Sequence, residues 1–413
     1  MADANLRVAA LKKRAGLAPD VAPPAEELEA QDTLGDLPGV NVSRTAIEHG
    51  GVPPARSPAA FAPLESDDCF TTALDVELPL EGSAAPAHVR TYFTPPGTAR
   101  AGGDLSKSTV VVCHHGAGAD ALSFALLAKE ITRRTHGELG ILAYDCRAHG
   151  HTRFPTEAAR DVSLGALTTD LLGVVATLFP EPAKRPSLVL VGHSMGGAVV
   201  VAAVHALQEQ SLARVSGVAM LDIVEGTSLQ SLPHMLHIIQ RRPEGFVSVE
   251  AAIQWHVETR AVRNLESARR SVPSLLYHDA HHAPLPWRWV TDLVSTEPFW
   301  RGWFTGLSER FLTTRAPRLL ILAETDHLDQ PLTIGQMQGK FQLSIAREAG
   351  HCVHEVRVCP TYAGHAARHG AHPRAVLGAQ RAAGAAGAAR PRRGSYIGYG
   401  GTELRSRSAA GAT

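Results

Sequence analysis

The sequence lacks three features that would assign it to a specialised class of protein. It has no surplus of charge, because its 40 basic side chains equal its 40 acidic ones, so neither nucleic acid nor a membrane surface is an expected partner. It has no apolar run of about 18 residues, the length of a spanning helix. Its five cysteines contain no CxxC pair, and its N-terminus lacks a signal-peptide pattern. These absences predict reduced thiols and a cytoplasmic or nuclear location, without secretion.

Composition divides the chain into a central region and two extensions. Residues 1–60 are rich in Ala, Pro, Glu and Asp, and we expect them to be disordered. Residues 61–355 carry the apolar patterning of a domain. Residues 356–413 contain nine arginines against one acid and have no periodicity, which predicts a disordered tail. A shifted reading frame or retained intron in the gene model would explain so abrupt a change, and a divergent natural extension is the alternative.

Short apolar runs predict a sheet that is mostly parallel. Residues 72–78 and 87–93 alternate in polarity, which is typical of an antiparallel pair. The later runs are continuous and indicate strands covered on both faces, as in a doubly wound α/β sheet. These continuous runs are residues 109–113, 140–144, 187–191, 217–221 and 318–323, and a last strand-like run follows at residues 342–346. We therefore expect an α/β fold.

One long segment interrupts this succession of strand-like runs. Residues 226–316 contain helix-like stretches, no convincing strand and all five tryptophans of the chain. An insertion of this size in a sheet protein is typical of a helical cap over the carboxyl ends of the strands. We expect most of the tryptophans to form the core of this cap, and one or two to line a groove for a substrate peptide.

The most specific motif is G-x-S-x-G at residues 192–196, between an apolar strand-like run and a helix-like run. This is the pattern of a nucleophile elbow, a tight strand-to-helix turn that exposes a serine hydroxyl above a parallel sheet. Gly192 and Gly196 remove side chains that would collide with neighbouring backbone. The motif makes Ser194 the candidate nucleophile.

A serine nucleophile requires a base, and an acid that orients the base; along the chain both follow the serine in this fold. His351, in a Gly-His pair after the last strand-like run, is the candidate base, and His354 suits a structural role. Two positions suit the acid: Asp222 follows the run that ends at residue 221, whereas Asp326 and Asp329 follow the run that ends at residue 323. Spacing alone leaves this choice open.

The reaction also requires backbone N–H donors for the oxyanion of the tetrahedral intermediate. The turn at residues 113–118 follows the first long strand and suits this purpose. Ala117 is the preferred donor, with Gly118 as the alternative, and Met195 after the nucleophile supplies the second N–H. The remaining histidines, including His149 and His193, are expected in turns or at the surface. No metal-ligand cluster or phosphate loop is recognisable, so neither cofactor nor metal is expected.

Five longer segments then identify a family. Residues 61–355 resemble the protein phosphatase methylesterases, eukaryotic α/β-hydrolases that remove a methyl ester from the C-terminal leucine of the protein phosphatase 2A catalytic subunit. The matching segments are GHSMGGA (192–198), LDIVEGT (221–227), RNLESAR (263–269), WRGWF with GLS (300–308) and LTIGQMQGKF (332–341). The family continues beyond residue 355 into an amphipathic helix, which the arginine-rich tail does not match.

The resemblance implies a mechanism and a partner. It assigns the acid to Asp222 in preference to Asp326, and it carries over Ser194 as nucleophile and His351 as base. It implies an acyl-enzyme, release of methanol, and the catalytic subunit of protein phosphatase 2A as partner. Two other readings remain open: a general small-molecule esterase or lipase with the same triad, and a protein that binds the phosphatase without turnover.

Overall fold

The computed structural model describes residues 57–80, 83–155, 158–323, 328–347 and 349–355. The expected tail, and the N-terminal extension as far as residue 56, lie outside the described residues. The described chain starts with a 3₁₀ turn at Pro58–Phe61, whose Phe61 side chain is buried. The described residues therefore cover nearly all of the expected domain at residues 61–355.

An eight-stranded sheet forms the centre of the molecule. Its strands are β1 (Thr72–Leu78), β2 (Ala87–Thr94), β3 (Thr109–His114), β4 (Gly140–Tyr144), β5 (Ser187–His193), β6 (Val215–Leu221), β10 (Arg318–Leu322) and β11 (Gln342–Ile345). Their order across the sheet is β1-β2-β4-β3-β5-β6-β10-β11. Strands β1 and β2 pair antiparallel, β2 pairs antiparallel with β4, and every later pair is parallel. The expected mostly parallel α/β sheet is confirmed.

Helices follow most of the parallel strands. They are α1 (Gly97–Arg100), α2 (Ala125–Arg134), α3 (Leu164–Leu178), α4 (Met195–Glu209), α5 (Glu225–Gln240), α6 (Val249–Glu258), α7 (Leu265–Ser271), α8 (Glu297–Phe304), α9 (Leu307–Thr313) and α10 (Gln330–Met337). Shorter 3₁₀ turns join several of them, including Val272–Leu275 directly after α7. Within the described ranges, no helix has both the length and the apolarity needed to cross a membrane.

The sheet has a separate apolar core on each face, because its central strands, such as β3 and β4, bury nearly all of their side chains on both faces. One core packs Val110, Leu190 and Met220 against helices α3, α4 and α8. The other packs Val111 and Ile141, with their neighbours on the same face, against helix α2. Helices therefore pack against both faces of the sheet, and the carboxyl ends of its strands form a rigid edge that positions the loops.

The segment between β6 and β10 is mainly helical, but the expectation that it contains no strand is wrong. It includes a small antiparallel sheet of β7 (Gly245–Phe246), β8 (Leu276–His278) and β9 (Trp287–Trp289), in the order β7-β9-β8. These strands are two or three residues long, too short to produce a periodic pattern in the sequence.

The tryptophans of this segment fall into two groups. Trp300 and Trp303 are almost completely buried, in the core shared with α3 and α4. Trp255, Trp287 and Trp289 are partly buried around Phe246 in a third apolar cluster. Most of the tryptophans therefore serve packing, as expected, although the two most buried ones belong to the main core.

Candidate active site

The serine of the G-x-S-x-G motif lies at a sharp turn between β5 and α4. Its φ is 50° and its ψ is −120°, a conformation that a non-glycine residue adopts only at a cost. A Cβ atom on Gly192 would lie 2.1 Å from the carbonyl oxygen of Gly196, so the backbone on the two sides of the turn is too close for any side chain at residue 192. The turn is a nucleophile elbow, and Ser194 precedes the first turn of helix α4.

Asp222 and His351 are joined by a short hydrogen bond. The His351 Nδ1–H group donates to Asp222 Oδ2 at 2.7 Å, and the Ala323 N–H group donates to the other carboxylate oxygen at 2.7 Å. The Asp222 N–H group donates to Ile321 O at 2.7 Å, which fixes the residue against strand β10. A carboxylate held in this way keeps the imidazole proton on Nδ1 and leaves Nε2 free to accept a proton.

The alternative acid Asp329 has a structural position. Its Oδ1 atom accepts the Leu332 N–H group at 3.0 Å as the N-cap of α10, and its Oδ2 atom accepts the Ser308 hydroxyl at 2.5 Å. Both oxygens are thus occupied away from His351. Asp326, the other alternative, lies outside the described residues. Of the described candidates, the structure brings only Asp222 to the histidine.

The loop after β3 passes directly beside the elbow. A Cβ atom on Gly116 would lie 3.2 Å from the Ser194 Cβ atom, so the backbone reaches the nucleophile only because this residue is glycine. The Gly118 N–H group donates to His149 Nε2 at 2.9 Å and is therefore occupied. The N–H groups of Ala117 and Met195 have no hydrogen-bond partner among the described residues. Ala117 and Met195 therefore remain the predicted oxyanion donors.

Both His149 and His193 are buried. His149 lies in the turn after β4, as expected, whereas His193 is the last residue of β5 and is neither in a turn nor at the surface. His193 donates from Nε2 to the carbonyl oxygen of His351 at 2.9 Å. His149 donates from Nδ1 to Arg147 O at 2.9 Å and accepts from Gly118. Burial lowers the pKa of His149 to about 4, which keeps its ring neutral and its Nε2 an acceptor. The prediction for His193 failed because the backbone partner of its ring is distant in sequence.

A pocket opens in front of the serine, and Ser194, Asp222 and His351 all line it. The rest of its wall is a mixture of apolar and hydroxyl side chains from the loop after β6 and from α5, α8 and β10. These are Ile223, Val224, Thr227, Ser228, Ser231, Met235, Phe304 and Leu322. No tryptophan is among the residues that line this pocket, and the expected groove for a substrate peptide stays a prediction.

Sequence reasoning did not identify these wall residues. One signal was available for part of the wall, since Thr227, Ser231 and Met235 are spaced four residues apart and so lie on one face of a helix.

The nucleophile and the base are not joined by a hydrogen bond in the structure, although both of these described residues, Ser194 and His351, line the same pocket. Catalytic hydrogen bonds are often long in the unliganded enzyme and shorten when substrate binds. Among the described side chains, no group of three or more His, Cys, Asp or Glu could hold a metal ion.

Comparisons with known proteins identify the fold and the family of the chain. Residues 111–376 match the model of the alpha/beta hydrolase family. A protein phosphatase methylesterase 1 from Cryptococcus neoformans is 40% identical over 361 residues, which cover 81% of this chain and 83% of the relative. A protein of the same name from Gibberella zeae is 43% identical over 290 residues, covering 69% and 70%.

A solved structure shares the fold alone. The E-2-(acetamidomethylene)succinate hydrolase is superposed with a TM-score of 0.53 at 16% identity, over 71% of this chain and 98% of its own. The family match and the curated relatives are more specific than this structural likeness. The chain is therefore a carboxylic-ester hydrolase of α/β-hydrolase fold, and it belongs to the protein phosphatase methylesterase family.

Proposed function

We propose that this enzyme hydrolyses the methyl ester on the C-terminal leucine of the protein phosphatase 2A catalytic subunit, by means of a triad of Ser194, His351 and Asp222. The observation that carries the proposal is the convergence of a strained elbow serine and a carboxylate-bound histidine on one pocket. The phosphatase substrate is supported by the curated relatives, which are named protein phosphatase methylesterase 1.

In the first half-reaction, Ser194 Oγ attacks the ester carbonyl carbon and its proton passes to His351 Nε2. Asp222 stabilises the imidazolium that forms and holds its orientation. The bond from the carbonyl carbon to the methoxy oxygen then breaks, and methanol leaves with the proton from His351. In the second half-reaction, water loses a proton to His351 and attacks the acyl carbonyl carbon. The bond from that carbon to Ser194 Oγ then breaks, Oγ takes the proton back from His351, and the C-terminal carboxyl group leaves as the carboxylate after losing its proton to solvent.

The oxyanion of each tetrahedral intermediate would accept the N–H groups of Ala117 and Met195. The Met195 N–H group lies at the N-terminus of helix α4, where the first N–H groups have no intrahelical acceptor and the helix dipole favours negative charge. One such donor contributes about 3 kcal/mol to stabilisation of the transition state.

The pocket wall is compatible with the side chain of a terminal leucine. Val224, Met235, Phe304 and Leu322 supply apolar surface in front of the serine. Burial of a leucine side chain among such residues contributes about 1.5–3 kcal/mol to binding. An ester with a polar side chain at that position would lose this contribution, which predicts selectivity among C-terminal residues.

The test compares wild-type enzyme with Ser194→Ala, and with Ser187→Ala as a matched control. Ser187 is a buried serine at the start of β5, the strand whose other end leads into the elbow. Substrates are a methylated phosphatase catalytic subunit and a short aryl ester, and a fluorophosphonate probe with peptide mapping reports the reactive residue. We expect Ser194→Ala to abolish both demethylation and labelling while retaining phosphatase binding, and Ser187→Ala to retain all three.

Two results would contradict the proposal. Rapid turnover of the short ester with no action on the methylated phosphatase would indicate a general esterase. Phosphatase binding by a folded wild-type enzyme whose Ser194 is neither labelled nor active would indicate a binding protein without turnover.

A further inference from the structure

The segment that carries His351 has little regular structure of its own. Residues 349–355 follow strand β11 and end in a 3₁₀ turn at Val353–Glu355. A loop of this kind is positioned by its contacts with the rest of the protein. The contacts of its last two residues therefore bear directly on where the candidate base lies.

Glu355 is buried, with 4% of its surface exposed, and no basic side chain pairs with it among the described residues. Its Oε2 atom instead accepts two hydroxyl groups of helix α7, from Ser267 at 2.6 Å and from Ser271 at 3.2 Å. The two serines are four residues apart and so lie on one face of the helix. Both are buried, which makes these hydrogen bonds inaccessible to competing water.

Burying a carboxyl group without a cation lowers the free energy of unfolding, and an apolar residue of similar size would lower it less. Burial raises the pKa of Glu355 to about 7, and hydrogen bonds from the hydroxyl groups of Ser267 and Ser271 and from the Cys352 thiol oppose this rise. Glu355 thus joins α7 to the His351 loop through specific hydrogen bonds, at a cost in stability. Groups retained at such a cost are candidates for a role in positioning.

The helix that receives Glu355 is itself fixed. Asn264 caps α7 by accepting the Glu266 N–H group at 2.9 Å, and Arg270 donates to Asp68 at 2.6 Å. The Ser271 hydroxyl shares its one hydrogen between Glu355 Oε2 and Ser267 O, which lies 3.1 Å away within the helix. Helix α7 is therefore held in place at both ends, and its serines give the His351 loop partners with fixed positions.

Neighbouring contacts hold the loop from its other side. The His354 ring stacks on Phe124 with 4.4 Å between ring centroids, and it lies 4.5 Å from the ring of His193. His193 in turn donates to the carbonyl oxygen of His351. The same α7 segment continues into Ser274, whose hydroxyl donates to Asp120 at the end of the loop that carries Ala117.

We propose that Ser267 and Ser271, acting through the Glu355 carboxyl group, are positioning residues that set the distance of the His351 imidazole from Ser194. None of the three touches the reacting atoms. This inference rests on the proposed role of His351 as the base. It gives helix α7, which belongs to the insertion between β6 and β10, a direct influence on catalysis.

The experiment compares Glu355→Gln, Glu355→Leu and the double variant Ser267→Ala/Ser271→Ala, with Ser187→Ala as the control for loss of a buried hydroxyl. Glutamine keeps an oxygen that accepts both serines, whereas leucine keeps the volume alone. Displacement of a catalytic group by about 1 Å can lower a rate about 100-fold. We therefore expect kcat to fall about 10- to 100-fold in the leucine and double variants, with KM nearly unchanged. The glutamine variant should rescue kcat.

A second readout is independent of turnover. The proton in the short His351–Asp222 hydrogen bond should give a downfield proton NMR resonance, expected to persist in Glu355→Gln and to shift or broaden in the double variant. If a folded double variant keeps the wild-type kcat and resonance, the positioning role is refuted. If the wild-type enzyme shows the resonance but no esterase activity, the proposed function fails, and the resonance alone still decides the role of Glu355.

Discussion

The Asp222 carboxylate accepts two hydrogen bonds at once, and Asp222→Asn would leave one acceptor for two donors. The Ala323 N–H group at 2.7 Å is part of the backbone and cannot reverse. The asparagine oxygen must therefore face Ala323, so its NH₂ group faces His351. The imidazole can then bond only by presenting an unprotonated Nδ1, which places its proton on Nε2. In that tautomer His351 cannot remove the proton from Ser194.

The expected loss is large in rate and small in stability. The same substitution in a serine protease lowers kcat about 10⁴-fold, and four factors of ten correspond to about 5.4 kcal/mol in the activation barrier. The free energy of unfolding should change by only about 1–2 kcal/mol, because both polar contacts are replaced. Steady-state demethylation of a methylated phosphatase and urea denaturation of the same preparation measure the two quantities.

Asp329→Asn is the matched control, because Asp329 is the described alternative acid. Asparagine is about as good as aspartate at a helix N-cap, so α10 should be retained. We expect kcat close to that of the wild type. The reasoning is refuted if Asp222→Asn keeps more than about a tenth of the wild-type kcat, since the tautomer argument then fails. A large loss in Asp329→Asn alone would transfer the role of the acid to the β10 loop.

Three further predictions concern stability. In Gly192→Ala the new methyl group would meet the Gly196 carbonyl at 2.1 Å, so we expect a sharp drop in Tm or insoluble protein by thermal denaturation and solubility assays. Asp170→Asn would leave the Arg147 guanidinium, which donates to Asp170 at 2.6 Å, buried without its counter-ion, and should lower the free energy of unfolding by about 3–5 kcal/mol in urea. The folded-state pKa of Glu355 is about 7, above its ordinary value of 4.5, so its native state binds a proton that the unfolded chain has lost. Stability should therefore fall as pH rises from 4.5 to 7, and Glu355→Gln should remove that part of the slope in urea titrations at both pH values.

The sheet could be predicted from the sequence because each strand carries its own signal. The apolar runs at residues 109–113 and 140–144 coincide with β3 and β4 to within a residue, since strands buried on both faces must be continuously apolar. Glycine spacing likewise located the elbow at Ser194. These features depend on residues that are close together in the chain.

The rest of the site depends on residues that are distant in the chain. Spacing alone left Asp222 and Asp329 as equal candidates, and only the tertiary contact with His351 distinguishes them in the structure. The burial of His193 depends on a partner 158 residues away, which no local pattern encodes. The link from Glu355 to α7 was missed for the same reason, because a serine pair on a helix resembles an ordinary polar face.

The positive φ of Ser194 has a consequence for directed evolution. A serine held at φ 50° and ψ −120° stores strain of about 1–3 kcal/mol, which glycine would relieve. A library selected only for thermal stability should therefore enrich glycine at position 194 and yield thermally stable proteins without hydrolase activity. Selection for turnover would favour serine at the same codon, so the two kinds of screen impose opposite pressures on one residue.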